Sequence, residues 1–150
     1  MRVQQDLNLG TIQLTQCPYW EHVFNRFGLE NVTPRNTPLP TGIVLTNDMS
    51  PKTDSEKREM SDKPYRSILG SVMWGQLATR PDLSFGVSLL AQFQANPGIE
   101  HWSALLHVVR YIKNTLDLGL TYSRDYDLSP TAFVDTDFGG CRDTHCYDFG

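Results

Sequence analysis

The sequence has no long hydrophobic run and too few cysteines for a disulfide framework. None of its apolar stretches approaches the roughly 18 residues of a membrane-spanning helix, and its first residues lack the apolar region of a signal peptide. Its three cysteines, Cys17, Cys141 and Cys146, favour a reducing compartment. We therefore expect an intracellular chain, in the cytoplasm or the nucleus, with no targeting signal and no membrane partner.

Familiar catalytic motifs are missing as well. The chain contains no G-x-S-x-G, no P-loop, no H-E-x-x-H and no adjacent Asp-Asp pair. A net charge of −4 lacks the basic footprint that is typical of nucleic-acid binders. The acidity is uneven, because residues 117–150 hold seven acidic and two basic side chains, whereas residues 1–116 are nearly balanced.

The hydrophobic pattern predicts an α+β fold. Alternation between Val3 and Thr15 around an Asn-Leu-Gly turn is typical of an N-terminal β-hairpin, for which no other strand is evident at that end of the chain. Helical spacing predicts about four helices, which start near Pro18, Tyr65, Pro81 and Asn96. Alternation at 118–122 and again at 132–136 predicts a small C-terminal strand pair.

The three later helices should form the core. The first of them has an apolar stripe that includes Met73 and Leu77, and the second, with Phe85 and Leu90, should be the most buried element because it is apolar on more than one face. Residues 40–62 are polar and rich in proline, which indicates a linker or a mobile loop.

Asp135 and Asp137 follow an apolar run and precede two glycines. Side chains alternate along a strand, so these two carboxylates would face the same side. Oxygen ligands of this kind suit Mg²⁺ and the hydrolysis of phosphodiesters. The alternative is an ordinary strand end at a turn, where Asp is common.

Two other groups of residues allow a functional interpretation. Arg66, Arg80, Arg110 and Lys113 lie on or beside the predicted helices, where they could contact a phosphate backbone or simply face solvent. The segment 141–146 contains two cysteines and a histidine, but structural zinc sites usually draw on two separated pairs of ligands, which favours an irregular tail.

Several phrases, in order, resemble the Pol polyprotein of copia-type long-terminal-repeat retrotransposons. The phrases up to Leu39 resemble the end of a reverse-transcriptase domain, and those from Tyr65 to Tyr122 resemble the segment that follows. The last phrase, Asp135 to Thr144, resembles the opening of the ribonuclease H domain. The phrases are Gln16 with Tyr19, Arg26-Phe27-Gly28, Asn36-Thr37-Pro38-Leu39, Tyr65-Arg66, Thr79-Arg80-Pro81-Asp82-Leu83, Asn96-Pro97, His101-Trp102, Arg110-Tyr111-Ile112-Lys113, Gly119-Leu120 with Tyr122, and Asp135 to Thr144.

The resemblance implies a truncated fragment with four parts. Residues 1–39 would be the distal end of the reverse-transcriptase palm and thumb, and 40–62 a linker. Residues 63–123 would be a helical block like the thumb and connection, and 131–150 the start of ribonuclease H. The departure from the family pattern after Thr144 indicates decay, a frameshift or a misplaced gene end.

The resemblance also assigns chemistry. Asp135 matches the first metal-binding carboxylate of the family's ribonuclease H, whose later acids are not matched, and the Tyr-x-Asp-Asp turn of the polymerase lies upstream of the matched region. The intact family enzyme uses Mg²⁺ to make DNA from RNA, whereas we expect no cofactor and no activity here. Its implied partners are an RNA–DNA hybrid or primer–template and the remainder of the Pol polyprotein.

Two alternatives remain open. The chain could be a non-catalytic nucleic-acid-binding module, since residues 57–113 have a weakly basic character. It could also be a helper chain that supplies thumb helices to a separate palm domain.

Overall fold

The computed structural model describes residues 1–126, 129, 132, 136–137 and 148–149. These residues form an α+β fold, as predicted, with a hairpin that becomes part of a three-stranded sheet and with five α-helices. The strands are β1 (Arg2–Asp6), β2 (Thr11–Thr15), β3 (Leu120–Ser123), β4 (Thr136–Asp137) and β5 (Asp148–Phe149), and the helices are α1 (Cys17–Phe27), α2 (Asp54–Ser61), α3 (Tyr65–Thr79), α4 (Ser84–Ala91) and α5 (Ile99–Asn114).

The N-terminal hairpin pairs with a third strand, and this pairing was not predicted from the sequence. β2 pairs antiparallel with β1 on one side and with β3 on the other, with Leu14 opposite Leu120. The strand predicted at 118–122 therefore completes the N-terminal hairpin. Most of the strand predicted at 132–136 lies outside the described residues, and β4 pairs with β5 through Thr136 and Phe149.

The hydrophobic core is larger than predicted. α3, α4 and α5 pack together as expected, but α1 also contributes to the core, and so does Leu45 from the segment before α2. A cluster confined to the three later helices was therefore wrong. The most deeply buried apolar side chains are Trp20, Ile68, Leu69, Val72, Leu83, Leu90, Leu105, Val108, Val109 and Ile112.

α1 lies closest to α3 at Gly75. A Cβ atom at Gly75 would collide with the ring of Trp20, so the indole lies directly against the backbone of α3. Tyr19 beside it donates a hydrogen bond of 2.7 Å to the Ser71 carbonyl. α1 ends at Phe27, and the next residue, Gly28, has a left-handed φ of 66° that suits glycine. Together these contacts fix α1 on the helical core.

The predicted linker contains regular structure. α2 begins with a capping box in which Glu56 N–H donates to the Thr53 hydroxyl and Thr53 N–H donates to the Glu56 carboxylate. Just upstream, His101 Nε2 lies 3.2 Å from the Thr46 carbonyl, while its Nδ1 accepts the Gly98 N–H at 2.8 Å. The segment 40–62, predicted as a linker or a mobile loop, therefore contains a helix and a loop that is bonded to His101.

The predicted apolar stripes are only partly buried. Leu77 is 77% exposed, Met73 is 38% exposed, and Phe85 on α4 is 74% exposed. The buried face of α3 includes Tyr65, as predicted, and also Gly75 and Thr79, which the stripe did not include. α4 is therefore not enclosed on all sides, because the described residues cover one face of the α3–α4 pair and leave the other open.

Candidate nucleic-acid interface

The last turns of α5 carry two cationic side chains at the edge of the core. Val108, Val109 and Ile112 are buried, and Arg110 and Lys113 lie one turn apart beside them. Both side chains are half-buried. The Lys113 ammonium lies 5.2 Å from the centre of the Phe24 ring on α1, which favours a cation at that position.

A loop that lies across α5 brings a third cation to the same place. Arg35 N–H donates to the Arg110 carbonyl at 3.2 Å, and Asn114 donates from its side-chain amide to that of Asn36 at 3.1 Å. His107 Nε2 lies 3.0 Å from the Thr37 carbonyl, which can only accept, so this nitrogen carries the proton. We call Arg35, Arg110 and Lys113 the basic cluster.

The basic cluster contributes to the pKa of His107. Burial lowers the pKa of His107, the hydrogen bond to the Thr37 carbonyl opposes that shift, and the nearby guanidinium groups of Arg35 and Arg110 lower the pKa further. The net direction is downward, so the ring stays neutral at pH 7. The positive charge therefore resides on the three longer side chains.

No carboxylate of the described residues forms an ion pair with the basic cluster. The ion pairs among the described residues involve other cations, namely Lys52, Lys57, Arg80 and Arg124. The Arg110 Nε atom is buried and has no hydrogen-bond partner among the same residues. Unpaired guanidinium and ammonium groups at neighbouring positions are suited to phosphate oxygens.

Arg66 lies elsewhere, at the start of α3. Its guanidinium donates to the carbonyls of Gln94 and Ala95, just before α5 begins. At 1.5 Å per residue, the start of α5 is about 15–20 Å from its Arg110 turn. The structure thus brings together two of the four predicted phosphate contacts, Arg110 and Lys113, and keeps Arg66 apart from them.

Arg80 is a structural residue in this fold and is not available to a phosphate. It is fully buried, and its guanidinium donates to both carboxylate oxygens of Asp82 at 2.8–3.3 Å. It also donates to the carbonyl and the hydroxyl of Thr115 at 3.0 and 2.8 Å. We call these residues, together with Tyr111, the Arg80 clasp. It joins the end of α3 to the end of α5.

Tyr111 completes the clasp. Its hydroxyl donates to Asp82 at 3.0 Å, and the Arg80 guanidinium lies 5.5 Å from the centre of its ring. Burial would raise the pKa of Asp82, but the hydrogen bonds and charge of Arg80 and the Tyr111 hydroxyl outweigh it and lower that pKa. Burial and the same carboxylate raise the pKa of Tyr111. Asp82 is therefore held ionised.

The predicted metal ligands are not tested by these contacts. Asp135 lies outside the described residues, and of Asp137 only the backbone is described, opposite Asp148 in the β4–β5 pair. Among the residues that the structure does describe, no group of three or more His, Cys, Asp or Glu side chains is arranged to hold a metal ion. The assignment of Asp135 and Asp137 to magnesium stays a prediction.

Sequence reasoning missed Arg35 and His107. Both act through the segment 35–37, which lies within a proline-rich stretch. Four prolines between 34 and 51 restrict that stretch, which was a signal for an ordered loop rather than a mobile one.

No helix in the described part of the chain is long and apolar enough to cross a membrane.

The chain is similar to segments of known Pol polyproteins. The retrovirus-related Pol polyprotein from transposon TNT 1-94 of Nicotiana tabacum is 36% identical over 115 residues, which is 77% of this chain and 9% of that polyprotein. The corresponding polyprotein from transposon RE2 of Arabidopsis thaliana is 32% identical over 134 residues, 89% of this chain and 9% of that protein. The chain is homologous to a segment of copia-type retrotransposon Pol polyproteins.

The copia-type relationship confirms the resemblance drawn from the sequence phrases. An uncharacterized mitochondrial protein of Arabidopsis thaliana is also similar, 34% identical over 87% of this chain and 51% of its own length. The chain thus spans about half of that relative and a small part of the Pol polyproteins. No protein-family model matches the chain, and no solved structure matches it.

Proposed function

We propose that this chain is a remnant of the reverse transcriptase–ribonuclease H region of a copia-type Pol polyprotein. In this proposal it does not catalyse DNA synthesis or RNA cleavage, and its helical body contacts an RNA–DNA hybrid through the basic cluster. The observation that carries the proposal is the basic cluster itself, three adjacent cations without a carboxylate partner among the described residues. The homologous Pol segments support it.

The order of the loop supports a binding role for these cations. Three hydrogen bonds fix residues 35–37 on α5, so Arg35 does not have to be brought to Arg110 when a ligand binds. Less conformational entropy is then lost on binding. With a net charge of −4 the whole chain is weakly repelled by a polyanion, so we expect only modest affinity.

Binding is tested with a fluorescein-labelled RNA–DNA hybrid, followed by anisotropy over a range of salt concentrations. The wild type should bind with a Kd of about 1–100 µM, and the logarithm of its affinity should fall with the logarithm of the salt concentration. The double variant Arg110→Gln/Lys113→Gln should reduce the slope by about 2, because each phosphate contact contributes roughly one unit.

A matched control removes the same charge elsewhere. Lys57→Gln/Arg58→Gln on α2 also lowers the net charge by two, at exposed positions outside the basic cluster. It should leave the salt slope close to that of the wild type. Equal slopes for both double variants would refute a specific role for the cluster.

The proposed inactivity has separate tests. Primer extension on a poly-adenylate template with Mg²⁺ or Mn²⁺ should give no product, since the polymerase Asp-Asp turn is not among the matched phrases. A labelled RNA–DNA hybrid should also stay intact. Cleavage that disappears in Asp135→Asn would contradict the proposal and would show that Asp135 acts in a complete metal site.

A further inference from the structure

One face of the α3–α4 pair is apolar and open. Leu77 and Phe85 are 77% and 74% exposed, Trp74 is 64% exposed, and Met73 beside them is 38% exposed. The Gln76 side chain donates to the Ser84 hydroxyl at 2.8 Å, which keeps the start of α4 beside the last turns of α3. Exposed apolar patches of about 300–600 Å² are often functional.

The face has a notch next to its largest side chain. Gly70 is exposed and lies one turn before Trp74 on α3, and a Cβ atom there would meet nothing within 4 Å. The helix therefore presents a bulky ring and, one turn away, bare backbone. A second copy in the opposite direction would present the same two features in reverse order.

The charge of the face also suits contact with its own copy. Between Gly70 and Ala91 the charged residues are Arg80 and Asp82, and these two bind each other in the Arg80 clasp. The face therefore offers no free charge to a phosphate. Two copies of a neutral face can meet without like-charge repulsion, which a twofold contact of a charged face would create.

We infer that this face is a homodimer interface. The geometry points to two antiparallel α3 helices related by a twofold axis midway between Gly70 and Trp74 on the open face, with Trp74 of each copy packed against Gly70 of the other. Such a contact is self-complementary, as a twofold interface must be. Leu77 and Phe85 would extend it toward α4, and Arg66, whose guanidinium donates to the Gln94 and Ala95 carbonyls, would lie at its two ends.

The area available predicts a weak dimer. Three largely exposed apolar side chains and a partly exposed Met73 offer roughly 500 Å² per copy, so a pair would bury about 1,000 Å². That is near the lower limit of specific interfaces, where a Kd of about 10–100 µM is reasonable. The inference does not depend on nucleic-acid binding, because the basic cluster lies on α5.

Sedimentation equilibrium of the whole chain between about 1 and 200 µM tests the inference. The wild type should shift from monomer to dimer over this range. Gly70→Gln loses no apolar surface, but it should remain monomeric because the glutamine side chain fills the notch. The backbone of Gly70 is not in the left-handed region, so it accepts a side chain without strain. Trp74→Ala should weaken the dimer at least tenfold.

Leu7→Gln provides the matched control. Leu7 lies in the hairpin turn and is 77% exposed, so the variant introduces the same glutamine as Gly70→Gln and removes apolar surface, as Trp74→Ala does, but outside the α3–α4 face. It should dimerise like the wild type. Circular dichroism and thermal melting confirm that each variant is folded. A monomeric wild type at about 200 µM would overturn the inference, and so would a dimer that persists in both Gly70→Gln and Trp74→Ala.

Discussion

Replacing Arg80 by methionine should lower the free energy of unfolding by about 3 kcal/mol. Methionine keeps much of the apolar stem but removes the donors to Asp82 and Thr115. Loss of one partner of a buried pair costs about 3–5 kcal/mol. The Asp82 side chain is 34% exposed, so water replaces part of its lost contact and the lower end of that range applies.

Urea unfolding measured by far-UV circular dichroism gives the size of this loss. Arg66→Met is the control, because it removes a guanidinium that binds two carbonyls at an exposed site, and it should cost no more than about 1 kcal/mol. Tyr111→Phe, which removes one hydroxyl bond to Asp82, should cost about 1 kcal/mol. If Arg80→Met costs no more than Arg66→Met, the clasp does not stabilise the fold.

The same clasp predicts how stability depends on pH. The pKa of Asp82 is lowered in the folded protein from its ordinary value of 3.8. Its ionised form therefore stabilises the fold above about pH 4, and this contribution is lost as the pH falls through the folded pKa. Asp82→Asn should lose stability at pH 7 and should show a smaller further loss on acidification. Parallel pH profiles for wild type and Asp82→Asn would contradict this.

Three further predictions concern the packing. Gly75→Ala should destabilise the chain by more than about 2 kcal/mol because its methyl group meets an indole ring, whereas Gly70→Ala at low protein concentration should be neutral or stabilising by up to about 1 kcal/mol. Leu90→Ala should cost about 2–5 kcal/mol and Leu77→Ala less than about 1 kcal/mol, since the first is fully buried and the second is 77% exposed. Glu56→Ala should remove half of the capping box and should increase hydrogen exchange in α2 before the rest of the chain. Equal costs within either matched pair, or unchanged exchange in α2, would refute the corresponding packing argument.

The sequence predicted elements whose signals are local. The four helices near Pro18, Tyr65, Pro81 and Asn96 were found because apolar spacing and helix starts are encoded within a few residues. Which face of each helix is covered depends on distant residues, and there the prediction failed. Gly75 was not part of the predicted α3 stripe, but it is the position at which Trp20 of α1 packs.

The candidate site shows the same limit. Arg110 and Lys113 were identified as cations beside helices, but nothing in the spacing distinguished them from Arg80, which is buried. The difference arises because Asp82 and Thr115 meet Arg80 only after α3 and α5 have packed. Arg35 joined the site through backbone hydrogen bonds to α5, which leave no pattern in the sequence.

The third strand of the sheet has a consequence for synthesis of the chain. β3 lies about 100 residues after β2, which at 5–20 residues per second corresponds to about 5–20 s on the ribosome. During that time the β2 edge of the hairpin is unpaired, because its residues Thr11–Leu14 have no β3 to pair with. The nascent chain is therefore prone to aggregate through this strand edge, and a chaperone that shields the hairpin would act before β3 has left the ribosome.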